Sequence, residues 1–176
     1  SGAIMQMISH GFSSGGLFLG FGYLYNRVHT REIADFGGIT KVMPWFSFLF
    51  MIFVFANVGL PGTSGFVGEF MIIIGLIKLN FVIAAIAGLT LILAAAYTLN
   101  MVRKVFFGPL VNKKLETLVD ISPVDYIGIL GVILIIIGLG LGYNNLIYLV
   151  ISLVGAMLLW FNYYKISRKG ERELQM

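Results

Sequence analysis

Apolar residues in this chain fall in long continuous runs separated by short polar clusters, with little of the alternation that marks a half-buried strand. Five apolar segments emerge, at about 3–25, 45–77, 81–102, 124–141 and 146–164. A membrane-spanning helix needs roughly 17–25 such residues. The second segment is too long for one simple helix, and the stretch NVGLPGTSG at 57–65 interrupts it. The pattern predicts an all-α fold: a polytopic transmembrane helical bundle of about five spans, one of them discontinuous. Within the break, Pro61 lacks an N–H and clashes with a preceding helical turn, while Gly59, Gly62 and Gly65 weaken the helix further. Backbone groups freed in lipid must find partners, and Asn57, Thr63, Ser64 and water are the candidates.

Composition agrees. The chain is 59% hydrophobic and 11% charged, with mean hydropathy +0.94, against about 45–50% and 25% in soluble domains. It has no cysteine, which removes disulfides, thiolate metal sites and iron–sulfur ligation. Two histidines alone do not make a structural zinc site. No metal and no cofactor is expected in this chain. The GLGLG run at 138–142 lacks the strand–turn–helix context of a nucleotide fingerprint and reads as packing or flexibility.

Charge sets the orientation. If five spans alternate, residues 26–44, 103–122 and the tail after 164 share one side, and they hold eleven of the twelve Lys and Arg residues. Only Lys78 falls on the other side. The positive-inside rule makes the shared side cytoplasmic, with the C-terminus inside. The net charge of +4 is thereby accounted for by membrane edges; the expected partner is the lipid bilayer and not nucleic acid. The chain begins Ser-Gly-Ala-Ile without a basic n-region or cleavage pattern, so it reads as a fragment cut inside or just before a transmembrane helix of a larger parent. The 103–122 connection reads as a solvated linker, with a short amphipathic turn over LETLVDISPVDY as the alternative, and Ser122 and Pro123 mark the start of the fourth span.

The residue that most demands explanation is Glu69. A carboxylate inside an apolar span costs about 2.5–3.5 kcal/mol on insertion scales, and an ionisable group beside an interrupted helix is how membrane proteins place ion and proton sites. Only eight residues separate it from Lys78, about 12 Å of helix in a hydrocarbon core of about 30 Å, which puts it below the outer surface without lying on it. The competing reading is a carboxylate at the aqueous edge. His10, seven residues into the first span, can pass a proton through either ring nitrogen or can hydrogen-bond between helices. Gly11–Gly15 and Gly16–Gly20 are GxxxG pairs, read as helix packing. Asn57, Tyr97 and Asn100 line a hydrated path or join helices. His29, Arg31 and Glu32 read as membrane-edge anchors with loop ion pairs.

The run ISHGFSSGGLFLGFGYLYNRVHTREIADFGGITKVMP, followed by ANVGLPGTSGFVGEF, resembles the antiporter-like subunits of respiratory complex I, the NADH:quinone oxidoreductases, and most of all the M type (subunit 4 in mitochondria). The resemblance covers about residues 3–109. It implies a parent of about fourteen helices built on inverted repeats, each with a broken helix. Glu69 would be the key ionisable residue of the second broken helix, where L- and N-type relatives use lysine, and His10 the histidine of the preceding helix; together they would form a proton relay. Residues 1–109 would be the C-terminal part of a proton-translocating antiporter-like domain, and 110–176 a cytoplasmic loop plus two terminal helices that depart from the family's ending after Gly142. The implied function is proton translocation in the membrane arm, coupled to electron transfer in other subunits, with no redox chemistry in this chain. The implied partners are the other membrane-arm subunits, including the L- and N-type ones. The implied location is a bacterial or archaeal cell membrane or the mitochondrial inner membrane. The alternatives are a subunit of a multisubunit Na⁺/H⁺ antiporter or membrane-bound hydrogenase, and a structural subunit that does not pump.

Overall fold

A computed structural model describes residues 1–110 and 112–142. Every regular element among them is helical: α1 (Gly2–Val28), a 3-10 turn (Ile33–Asp35), α2 (Ile39–Val42), α3 (Pro44–Asn57), α4 (Ser64–Leu79), α5 (Phe81–Val105), α6 (Lys113–Glu116) and α7 (Pro123–Gly140). The first four apolar segments are thus helices, and the second is split into α3 and α4. The fifth, at 146–164, lies outside the described residues. The protein is a helical membrane bundle. By length and apolarity, α5 and α7 qualify as spans among the described residues, and α3 is a shorter apolar helix. The 27 residues of α1, about 40 Å of helix, are long enough to cross, but Gln6, Ser9, His10, Ser13 and Ser14 lower its hydropathy.

Those polar residues have a structural reason. The buried positions of α1 are Ser9, Ser13, Gly16, Gly20, Leu24 and Val28, recurring every three or four residues along one face. The face changes character along its length. In its second half Gly16 lies under the Phe53 ring and Gly20 under Phe50, where any Cβ would overlap the ring. Phe46, Phe50 and Phe53 are buried, and Phe50 stacks on Phe106 at 4.8 Å between centroids. In its first half α1 faces α4, and here both helices supply glycines: a Cβ at Gly68 of α4 would overlap the backbone of Gln6, and one at Gly2 of α1 would overlap Met71. Small residues let helix backbones approach closely. One continuous helix therefore spans both halves of the broken one.

The helix ends are coded locally. Asn80 starts α5 by accepting hydrogen bonds from the Val82 and Ile83 N–H groups at 2.9 and 3.2 Å. Ser122 starts α7, its Oγ accepting from the Asp125 N–H, with Pro123 following it as the sequence predicts. The two loops assigned to the cytoplasmic side meet. The Thr40 N–H and hydroxyl both donate to the Phe106 carbonyl, at 3.2 and 2.8 Å, and Asn112 Nδ2 donates to the Asp35 carbonyl. A Cβ at Gly37 would overlap the Pro109 carbonyl, and Gly38 has φ 66°, which explains the paired glycines.

The 103–122 connection is not the solvated linker that its composition predicts. Leu115 is fully buried in the core around Phe46 and Phe106, and Asp120 reaches α3. Its Oδ2 accepts from the Trp45 N–H at 2.9 Å and its Oδ1 from the Phe46 N–H at 3.0 Å. These are orphan donors of a helix start, and a carboxylate there also answers the positive end of the helix dipole.

Candidate functional site

The break runs from Val58 to Thr63, and glycine rather than proline ends α3. Gly59 has φ 74°, the left-handed conformation that closes many helices. The Leu60 N–H then bonds to the Phe55 carbonyl at 2.9 Å and the Gly59 N–H to the Ala56 carbonyl at 3.4 Å, the two crossed bonds of a Schellman cap. Pro61 lies just beyond, on the exposed side of the turn, where it blocks continuation without kinking a helix. Gly62 also has positive φ, at 94°. The Thr63 N–H and hydroxyl return to the Leu60 carbonyl at 3.1 and 2.7 Å. Of the expected partners for freed backbone, Thr63 serves that role, while the Ser64 hydroxyl instead shares a 2.8 Å hydrogen bond with Ser9 of α1.

Three helices hold this turn. Gly65 sits so close to the Ala56 carbonyl that a Cβ would overlap it, and Gly140 of α7 lies against the Gly62–Thr63 backbone in the same way. The GLGLG run is thus packing, at least at Gly140.

Glu69 is in the second turn of α4, half-buried. A helical side chain leans toward its own N-terminus, which here is the break. Its Oε2 lies against Gly59, in space that any Cβ there would occupy. Its Oε1 accepts a hydrogen bond from Gln6 Nε2 of α1 at 3.2 Å. Gln6 Oε1 is buried and has no hydrogen-bond partner among the described residues. The Ser9–Ser64 pair and the buried Ser13 continue the polar face along α1. The structure therefore joins Glu69 to Gly59 and Gln6, with the Ser9–Ser64 pair as a separate contact between the same two helices.

It does not join His10 to them. His10 is exposed on α1, one position beyond the buried Ser9, and its backbone carbonyl accepts from the Ser13 and Ser14 hydroxyls. Tyr97 and Asn100 are likewise exposed, and Asn100 accepts from Arg103 Nη2 at 3.2 Å. His29 ends α1 with φ 59°. Around it, Thr30 donates to Asp35 at 2.6 Å, and Arg31 lies over the Tyr25 ring at 5.0 Å. Hydrogen bonds and cation–π contacts hold this loop, in place of the expected ion pairs, among the described residues. Sequence reasoning missed Gln6 and Asp120. The available signal for Gln6 was its spacing of three and seven residues from Ser9 and Ser13, which puts all three on one face.

A half-buried acid beside a glycine-built break in a membrane helix bundle defines the class: helical membrane proteins with a discontinuous helix. The comparisons give the family. The family described as NADH:quinone oxidoreductase/Mrp antiporter, TM, matches residues 1–95, and the chain belongs to it. It is 53% identical over 121 residues to NADH-quinone oxidoreductase subunit M of Rhodobacter capsulatus, covering 69% of this chain and 24% of that one. It is 44% identical over 147 residues to subunit M of Rickettsia typhi, covering 84% and 30%. A chain of respiratory complex I from Thermus thermophilus with bound NADH superposes with TM-score 0.75 at 32% identity, over 90% of this chain and 33% of that one. The chain thus spans about a quarter to a third of the length of these relatives, which are M-type where their names state a subunit.

Proposed function

We propose that this chain carries part of a proton path through the membrane arm of an NADH:quinone oxidoreductase, with Glu69 as its proton-exchanging group. The observation that carries the reading is the Glu69–Gln6 contact at the break. A primary amide suits a carboxyl that changes state. Its Nε2 donates to the carboxylate, and after a half-turn of the amide its Oε1 accepts from the protonated acid. Both states of Glu69 then keep a partner, and neither leaves an unpaired buried charge. The Ser9 and Ser64 hydroxyls, each donor and acceptor, form a second hydrogen-bonded pair between α1 and α4. His10 enters the path from the exposed face of α1, by a side chain or water of the parent protein rather than by direct contact with Glu69.

Moving one charge across a membrane costs about 2.3 kcal/mol per 100 mV, and one pKa unit is about 1.4 kcal/mol. Shifts of roughly two to four units in coupled sites therefore match a working membrane potential of about 150–200 mV. The signal comes from electron transfer in other subunits, with L- and N-type subunits as neighbours. The protein is multi-pass in a bacterial or archaeal cell membrane or the mitochondrial inner membrane, with the basic loops and C-terminus on the cytoplasmic or equivalent side. Glu69→Gln in the full-length protein is expected to assemble but lose coupled proton translocation, Glu69→Asp to retain part of it, and Glu69→Ala to lose it. Wild-type pumping by Glu69→Gln excludes the role.

A further inference from the structure

Two surface depressions, one apolar and one basic, meet at the end of α5. The first is an open groove of about 560 Å³ between α3 and α5, lined by Phe48, Met51, Phe55, Leu99 and Val102 and bounded by Arg103 and Phe107. It lies in the half of the bundle nearer the basic loops, because Phe48 is in the second turn of α3 and Leu99 in the last two turns of α5. The second is a cleft of about 820 Å³ between the Ile33–Asp35 turn and the end of α5, lined by Arg31, Glu32, Arg103 and Lys104, and it too is bounded by Phe107. Arg103 and Phe107 line both. Three cations and one carboxylate thus line the cleft that adjoins the apolar groove.

We infer that this composite site binds an anionic phospholipid, with an acyl chain in the α3–α5 groove and the phosphate on Arg31, Arg103 and Lys104. Basic residues at membrane edges follow the positive-inside rule wherever they sit. What distinguishes this place is the shared lining, which presents apolar and cationic surface to one molecule in the order a phospholipid needs. Basic pockets between helices on the cytoplasmic side are the membrane-protein form of headgroup recognition. Guanidinium groups suit it because their fork of donors matches phosphate oxygens. Arg103 has donors to spare beyond the one it gives Asn100. Phe107 is 62% exposed, and an aromatic ring bordering both apolar and cationic surface suits the boundary between acyl chains and headgroups.

The test is native mass spectrometry of the delipidated full-length protein, titrated with phosphatidylglycerol or phosphatidylcholine, together with photo-crosslinking from a benzophenone amino acid in place of Phe107, at the rim of the groove. Phosphatidylglycerol is expected to bind at least tenfold more tightly. The triple substitution Arg31→Gln, Arg103→Gln, Lys104→Gln is expected to abolish the preference, and Lys78→Gln, at the opposite membrane edge, to leave it unchanged. Leu99→Trp, which fills the groove and keeps every charge, is expected to weaken phosphatidylglycerol as well, so the site is tested even if the triple variant folds poorly. Equal binding of the two lipids, an unchanged preference in both the triple and Leu99→Trp variants, or crosslinks from position 107 to a protein helix instead of lipid overturns the inference.

Discussion

The two halves of the broken span, α3 and α4, are built on opposite principles. The buried positions of α3 are mostly large: Phe46, Leu49, Phe50, Phe53 and Val54. It joins α1 by pressing rings into Gly16 and Gly20. The buried positions of α4 are Ser64, Gly65 and Gly68, and it joins α1 by bringing backbones together and adding the Ser9–Ser64 and Gln6–Glu69 hydrogen bonds. One half is held by dispersion across a dry aromatic joint, the other by close approach and polar contacts. In lipid there is little hydrophobic force between helices, so both joints depend on packing and hydrogen bonding. Only the second can change its charge or hydration without losing its main attachment. Under the proposed function, that difference assigns the working part of the span to α4 and the anchor to α3.

Substitutions can break this comparison at graded cost. Phe50→Ala removes a ring that fills the space over Gly20 and stacks on Phe106, and is expected to cost about 3–5 kcal/mol. Thermal unfolding in detergent should register it as the largest loss, with coupling per folded molecule unaffected. Gly59→Ala places a Cβ at left-handed φ and against the Glu69 carboxylate. A cost of about 1–3 kcal/mol is expected, but coupled proton translocation should fall far more than folded yield, the reverse of Phe50→Ala. Asp120→Ala uncaps α3 from the basic side and is expected to cost about 1 kcal/mol, seen as a small drop in melting temperature with pumping unchanged. If Asp120→Ala impaired pumping as severely as Gly59→Ala, the division between anchor and working half would be wrong.

The comparison also explains what could be read from residues alone. The break was legible because its cause is local: Gly59 in left-handed geometry, Pro61 after it and Gly62 with positive φ act within a few positions. The start of α7 at Ser122–Pro123 was legible for the same reason. Glu69 stood out because an acid is costly in that setting. Its partner did not, because Gln6 is 63 residues away, and periodicity tells which face a residue occupies but not what meets that face. Asp120 hid in a stretch whose composition resembles any solvated loop, yet it caps a helix that begins more than seventy residues earlier. His10 shows the converse: its chemistry suggested a relay with Glu69, but one position of helical rotation from Ser9 carries it to the exposed face.

Redox-triggered infrared difference spectroscopy on the assembled NADH:quinone oxidoreductase that contains the full-length protein tests the central claim most directly. If Glu69 exchanges protons during turnover, a protonated-carboxyl C=O band should appear or vanish with the redox step, disappear in Glu69→Gln, and shift in Gln6→Leu. A difference spectrum in which Glu69→Gln leaves every carboxyl band in place would contradict the account.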